Sequence, residues 1–454
     1  MNHPIGITRR EVLQVGYSGL LGISLSSVLG QRAAAAAATE SQPRRSPKSV
    51  IIVFLTGAPS HHDTFDMKPD APTAIRGEFN PIASRTPGLI VCEHLPRLAA
   101  RSDKFSVVRT LSHRENNHLV ATHHVLTGHQ QPGAFFDKIA SRDDWPAYSS
   151  ALNYARPRSD GIPSGVNLPT YLMEGPLLWP GQYAGFLGPR HDPWQITRDP
   201  NQRDFGIDSM RLNEGLDVSR LHHRRSLLAE VDEQQRQLAA TAESRRLSDQ
   251  QSLAFTMLES GRVARAFDID QELPAVRDRY GRHSFGQSLL LARRLIEAGV
   301  PVVQANMGRV QNWDSHGDIF RRLRNDLLPP LDQGVSALID DLELRGLLDD
   351  TFVMMLGEFG RTPRLSSQNP GAIPGRDHWA QCFFGLFAGG GVKPGQVIGQ
   401  SDRIGAYPST TPYSPDDIGA TVYHVLGMNP HMEVRDRQNR PVQLNRGEVM
   451  NVLF

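Results

Sequence analysis

The residues of this chain that could do chemistry come in short runs. "SHHD" carries His61, His62 and Asp63, and "SHRENNH" carries His113, Arg114, Asn117 and His118. "WDSH" carries Asp314 and His316, "GEFGR" carries Glu358 and Arg361, and "GRDHW" carries Arg376, Asp377 and His378. Imidazole nitrogen together with carboxylate oxygen is a donor set for divalent cations, and a catalytic ion needs about three protein donors plus an open position. Arginines beside such a centre can hold an anion through paired hydrogen bonds. These residue types therefore point to metal-assisted attack on an anionic ester. Taken singly, each run says little. An Asp and a His two apart are common by chance, His123 and His124 are neighbours on a helical run so that one at most faces a common site, and Arg376 and Asp377 could satisfy each other. Their recurrence after one apolar run after another is what joins them into one candidate site.

Those apolar runs are the elements that must position the site. "SVIIVFL" (49–55), "FSVVRTL" (105–111), "VPVVQANM" (300–307), "TFVMML" (351–356) and "QCFFGLF" (381–387) are continuous and rich in β-branched and aromatic residues, as in strands buried on both faces of a parallel sheet. Between them, Phe285, Leu289, Ala292 and Ile296 recur at helical spacing, with Gly299 behind them as a terminator. "SPDDIGATVYHVLG" (414–427) opens on an N-cap and ends on glycine. Strands alternating with helices predict an α/β sheet covered on both faces, and ligands of such sheets bind beyond the strand ends. Two regions break the rhythm. Residues 157–204 are dense in Gly, Pro and aromatics and are expected to form a cap loop over the site. Residues 215–268 are rich in Gln, Glu, Arg and Ala and are expected to be a long helical insertion.

Composition excludes some classes. Apolar residues make up 39%, charged residues 21%, and the formal net charge is +1, so the chain is globular and has no general basic field for nucleic acid. Only two cysteines occur, so a cysteine-based zinc site is excluded and any metal must rely on His, of which there are 17, and carboxylate. The N-terminus carries Arg9 and Arg10, a short apolar stretch and an alanine run, which resembles a twin-arginine export signal over residues 1–38. That predicts passage through the twin-arginine translocase and a periplasmic or extracellular bacterial protein.

Beyond the signal the chain resembles the domain-of-unknown-function 1501 family, grouped with the alkaline-phosphatase and sulfatase superfamily. The carriers are "GAPSHHDTFDMKP", "NNHLVATHHVLTG", "PGQYAGFLGPRHDPW", "WDSHGD", "GEFGRTP", "GRDHW" and "DDIGATVYHVLGM". The resemblance implies an alkaline-phosphatase-like domain over residues 39–454 with one or two metal ions and a nucleophile. By position it implies Asp63 or His61 as the donor after the first strand, Asp314 and His316 as donors of one ion, Glu358 where an Asp is usual, and His378 as a final ligand. Phe359 stands where a second His is implied, so one ion site is depleted. His118, preceded by Asn117, stands where a Ser, Thr or Cys would open the helix ending at Thr127 and Gly128.

The expectation is thus an exported metal-dependent hydrolase of phosphate or sulfate esters, acting through metal-bound water or His118. His61, Asp63, Asp314, His316, Glu358 and His378 would hold one or two ions of zinc, manganese, magnesium or calcium. His118 and Asn117 would face the reacting centre, and Arg361 or Arg376 would bind the anion of a small-molecule or glycan ester. The rival expectation is a catalytically inactive cell-envelope or glycan-binding protein on the same fold.

Overall fold

The structure is a computed structural model that describes residues 17–18, 23–24, 48–133, 138–203, 205, 262–367 and 370–454. It divides into two units, residues 1–46 and 47–454. Of the first, only an antiparallel pair, Tyr17–Ser18 with Ile23–Ser24, is described. Nearly all of the segment expected to be an export signal and of the predicted helical insertion lies outside the described residues; a helix at Arg262–Phe267 covers the insertion's end.

The second unit is built on an eight-stranded sheet. Its strands in chain order are β1 (Ser49–Phe54), β2 (Phe105–Leu111), β3 (Gly165–Leu168), β4 (Trp194–Gln195), β5 (Val302–Asn306), β6 (Thr351–Leu356), β7 (Phe383–Ala388) and β8 (Val397–Ile398). In space they run β4-β3-β5-β1-β6-β7-β2-β8. The five apolar runs all become strands of this sheet. Their continuity follows from burial on both sides, because alternate residues point to opposite faces. Val50, Ile52 and Phe54 join one core with Val125, Leu126 and Val422, while Ile51, Val53 and Leu55 join the other with Leu289, Leu290 and Leu338. Each such fully buried side chain contributes roughly 1.5–3 kcal/mol relative to exposure.

The first core is closed by helices α1 (His118–Thr127), α2 (Tyr148–Ala155) and α5 (Pro415–Val425), the second by α3 (Ser284–Glu297) and α4 (Leu328–Leu344). α5 begins with a capping box between Ser414 and Asp417. α1 is buried along all of its 10 residues, so its histidines and threonines must find partners inside the protein. No described helix is long and apolar enough to cross a membrane.

Two features depart from the sequence reading. β7 is antiparallel to both neighbours, whereas its apolar run resembles those of the parallel strands. A parallel return from β6 would need a crossover, and the 357–382 connection instead stays at the rim and feeds straight back. The expected cap loop is also partly sheet: β3 pairs in parallel with β5, and β4 with β3. Strands of 4 and 2 residues set among Gly and Pro are too short to show a period. Only the stretch between them crosses the rim.

Register decides where the chemistry goes. Phe54 of β1 lies opposite Leu356 of β6 and Asn306 of β5, so residues 55–63, 307–318 and 357–361 all leave the sheet on one rim. β2 ends there too, since Leu111 pairs with Phe383, the first residue of β7. The antiparallel sense of β7 brings the residues before it, His378 included, to the same place.

Candidate metal centre

Asp314 is the centre of the arrangement. It lies in the loop after β5, which crosses the loop after β1 so closely that a Cβ on Gly57 (φ +103°) would come within 2.7 Å of the Gln311 backbone and 2.8 Å of the Asp314 nitrogen. Gly57 therefore has both a spatial and a conformational reason to lack a side chain. The Asp314 carboxylate faces three imidazoles: Oδ2 is 3.3 Å from His118 Nε2, and Oδ1 is 3.0 Å from His316 Nε2 and 3.3 Å from His378 Nε2. Donor atoms of His118, Asp314 and His378 all lie within 4.8 Å of one another, the one such triple among the described residues. His316 adjoins it, with its Nε2 3.0 Å from His378 Nε2.

Each ring is held by its other nitrogen. His118 Nδ1 is 2.5 Å from Glu358 Oε1, His316 Nδ1 is 2.7 Å from Asp377 Oδ1, and His378 Nδ1 is 2.7 Å from the Asn116 carbonyl. These oxygens accept, so the three Nδ1 atoms carry the protons and neutral rings turn their Nε2 lone pairs inward. His118 Nε2 is buried and makes no hydrogen bond. Donation by all three Nε2 atoms to Asp314 would require three imidazolium cations beside the Arg361 guanidinium, which lies 2.5 Å from Asp314 Oδ1. A divalent cation that takes the lone pairs removes this conflict. Imidazoles fixed by carboxylate or carbonyl partners are the usual support of a bound metal. The residues present fit such an ion.

Charges respond accordingly. Burial alone would raise the Asp314 carboxyl, but the facing imidazoles of His118, His316 and His378 and the charge of Arg361 hold it far below the usual carboxylate range. The facing Asp314 carboxylate raises His316. For His118, burial acts downward, yet Asp314 and Glu358 outweigh it and raise the ring. His378 is lowered, chiefly by burial. Phe359 packs against His118 and His378 with ring centroids 4.8 and 4.9 Å away, and Trp179 from the 157–204 segment stacks over His118 at 5.9 Å. The open side is that of His316 and His378, whose side chains keep 29% and 25% of their exposure.

The other expected site residues go elsewhere. Glu358 does not join the donor triple: fully buried, it accepts from the Gly57 and Ala58 amides and orients His118. Asp63 is paired on both oxygens with Arg376, at 2.7 and 3.0 Å, and also accepts from Ser60. Arg376 thus pairs with Asp63 and not with Asp377; consecutive residues of an extended segment point to opposite sides. Its remaining hydrogen bonds go to the carbonyls of Ile75, Thr362 and Pro363, which leaves an anion nothing to grip. Arg361 is equally committed, to Asp314 and to the carbonyls of Gly57, Ala58 and Arg376. His61 is fully buried with Nε2 on the Gly405 carbonyl. Asn117 caps α1 by accepting from Leu119 and Val120, which aims the first helical residue, His118, into the centre.

The Asn116 carbonyl and Trp179 belong to the site although the sequence did not single them out, and Asp377, named there only as a possible partner of Arg376, supports His316. Asp377 adjoins His378 in "GRDHW", and that adjacency was a usable signal. A main-chain oxygen and a stacking ring from another segment leave none.

No curated protein matches the chain. Among solved structures, the chain is similar to Ps i-CgsB in complex with k-i-k-neocarrahexaose, at 10% identity over 84% of this chain and 72% of that one, with a TM-score of 0.41. It is similar to the PsFucS1 sulfatase from Pseudoalteromonas sp. at 11% identity, over 86% and 70% of the two chains, TM-score 0.37. It is similar to the alkaline phosphatase from the Antarctic bacterium TAB5 at 12% identity, over 84% and 99%, TM-score 0.35. Residues 47–454 match the family described as "Protein of unknown function (DUF1501)", and the chain belongs to that family.

Proposed function

We propose that the chain is a metal-dependent hydrolase of phosphate or sulfate esters, exported by its twin-arginine segment to the periplasm or cell exterior. One observation carries this reading: three imidazoles, each fixed at Nδ1, turn Nε2 toward a single carboxylate. His118, Asp314 and His378 would hold the ion, with His316 beside them. Such an ion supplies Lewis acidity and a water acidified toward neutral pH. Glu358 and Asn116 keep the His118 and His378 rings in place. Trp179 and Phe359 exclude solvent on the covered side, so a substrate enters past His316 and His378. A small-molecule or glycan ester is the substrate class proposed for an ion reached from the partly exposed side of His316 and His378.

The test is metal analysis of the purified protein together with a panel of aryl phosphates, aryl sulfates and phosphodiesters. We expect bound divalent metal and turnover of at least one ester. Asp314→Ala and His378→Ala should each lose the metal and lower turnover on the order of 10³-fold, the equivalent of the several kcal/mol a Lewis acid provides. Protein that holds no metal and turns over nothing overturns the proposal. A second reading, a glycan-binding or cell-envelope protein without catalysis, is favoured by the full internal commitment of Arg361 and Arg376. It predicts bound metal with no turnover on any ester.

A further inference from the structure

The surroundings of Arg361 resemble a cation site that is already filled. Its side chain is fully buried. Around the guanidinium stand four oxygens: Asp314 Oδ1 at 2.5 Å from Nη1, the Ala58 carbonyl at 2.8 Å from Nε, the Arg376 carbonyl at 3.3 Å from Nη1, and the Gly57 carbonyl on Nη2. A cage of carbonyl and carboxylate oxygens is the kind that hard cations favour. Here a side chain of the same sheet rim occupies it, reaching back from β6 to the loop after β1.

The carboxylates that could serve another ion nearby are neutralised as well. Asp63 is matched by Arg376 on both oxygens. Glu358 is taken up by two backbone amides and the His118 ring. The other donors around Asp314 are imidazole nitrogens, those of His316 and His378 at the same Oδ1 that Arg361 holds and that of His118 at Oδ2; this set suits zinc and similar transition-type ions better than magnesium or calcium. One carboxylate is therefore shared between a guanidinium and a nitrogen-rich centre that suits a cation of a different kind.

Resting on the metal reading of the site given above, we infer that the centre takes one divalent ion of the zinc type. The Arg361 guanidinium is the permanent second cation, filling the oxygen cage that shares Asp314 Oδ1 with that centre. Arg361 acts here as a positioning residue: it fixes Asp314 and adds a charge that neither dissociates nor exchanges.

The experiment counts ions. The full chain is stripped with chelator, reloaded with zinc, and its bound ions are counted by native mass spectrometry, with cobalt absorption as a second readout of the nitrogen-rich site. One ion per chain is expected. Two ions per chain would overturn this inference while leaving the metal reading standing, whereas none would sink that reading and this inference with it. Arg361→Asp turns the fixed cation into a ligand, and in a variant whose circular dichroism matches the parent the count should rise from one to two. A folded R361D that still binds one ion overturns the role given to the guanidinium. Should R361D not fold, the count on the unmodified chain decides alone.

Discussion

Two groups of histidines lie close together and do different work. His113, His123 and His129 are buried around α1, and their ring nitrogens meet fixed backbone partners. His113 takes the Glu115 amide on Nδ1 and gives Nε2–H to the Glu358 carbonyl. His123 gives Nδ1–H to the His129 carbonyl and takes the Trp145 amide on Nε2. His129 gives Nε2–H to the Leu444 carbonyl and stacks on Trp145. His118, His316 and His378 are each held at Nδ1 by an oxygen, and their Nε2 atoms meet around Asp314. Both groups are rich in hydrogen bonds and largely buried. What separates them is the nitrogen left over and whether several such nitrogens converge. In the first group imidazole ties loops together, and in the second it forms a place for a cation.

Glu358→Gln presses this contrast hardest. The variant keeps the size and an acceptor oxygen but removes the charge that steadies His118. Loss of such a supporting partner is expected to weaken metal binding about 10–100-fold, while leaving secondary structure intact. Isothermal titration with zinc checks it, and an unchanged affinity would mean that His118 is not a ligand.

The converse substitution is His123→Leu. It is expected to lower stability by about 1–3 kcal/mol, because the Trp145 amide and the His129 carbonyl lose their partner inside the protein. Metal content should not change. Denaturant unfolding alongside metal analysis separates the two effects, and a variant that loses metal would break the division between the groups.

Acid tests the first group of histidines as a whole. Burial holds His113 and His123 down to about 3 and His129 down to about 4. These rings stay neutral in the folded chain while the unfolded chain takes up protons below its ordinary value of about 6.5. Their contribution is complete above that value and is lost as the pH falls from there toward 4 and 3, by about 1.4 kcal/mol per pH unit for each ring. Metal-free protein, unfolded by denaturant at a series of pH values, should show this slope. Flat stability between pH 6.5 and 4 would show that these rings are not sealed from protons.

The legibility of the site was uneven for physical reasons. "WDSH" and "GRDHW" reveal their donors because residue type limits what can bind a cation. His118 was legible from its position at the head of a helix, with Asn117 as its cap. Partner choice was not legible. Arg376 meets Asp63 and Arg361 meets Asp314 only because three parallel strands place their ends on one rim in register. Residue type made Glu358 a candidate ligand, and the loop crossing at Gly57 turned it into a support.

Sequence alone determined the buried strands, the helices that cover them and the kinds of atoms available at their ends, because solvent exclusion and hydrogen-bonding capacity belong to each residue type and its spacing. Tertiary structure decided the sense of β7, the place of β3 and β4 in the sheet, and which nitrogen of each site histidine turns toward Asp314. Those outcomes depend on distances between segments far apart in the chain, and a hydrogen bond or a shared cation forms only within a few ångströms.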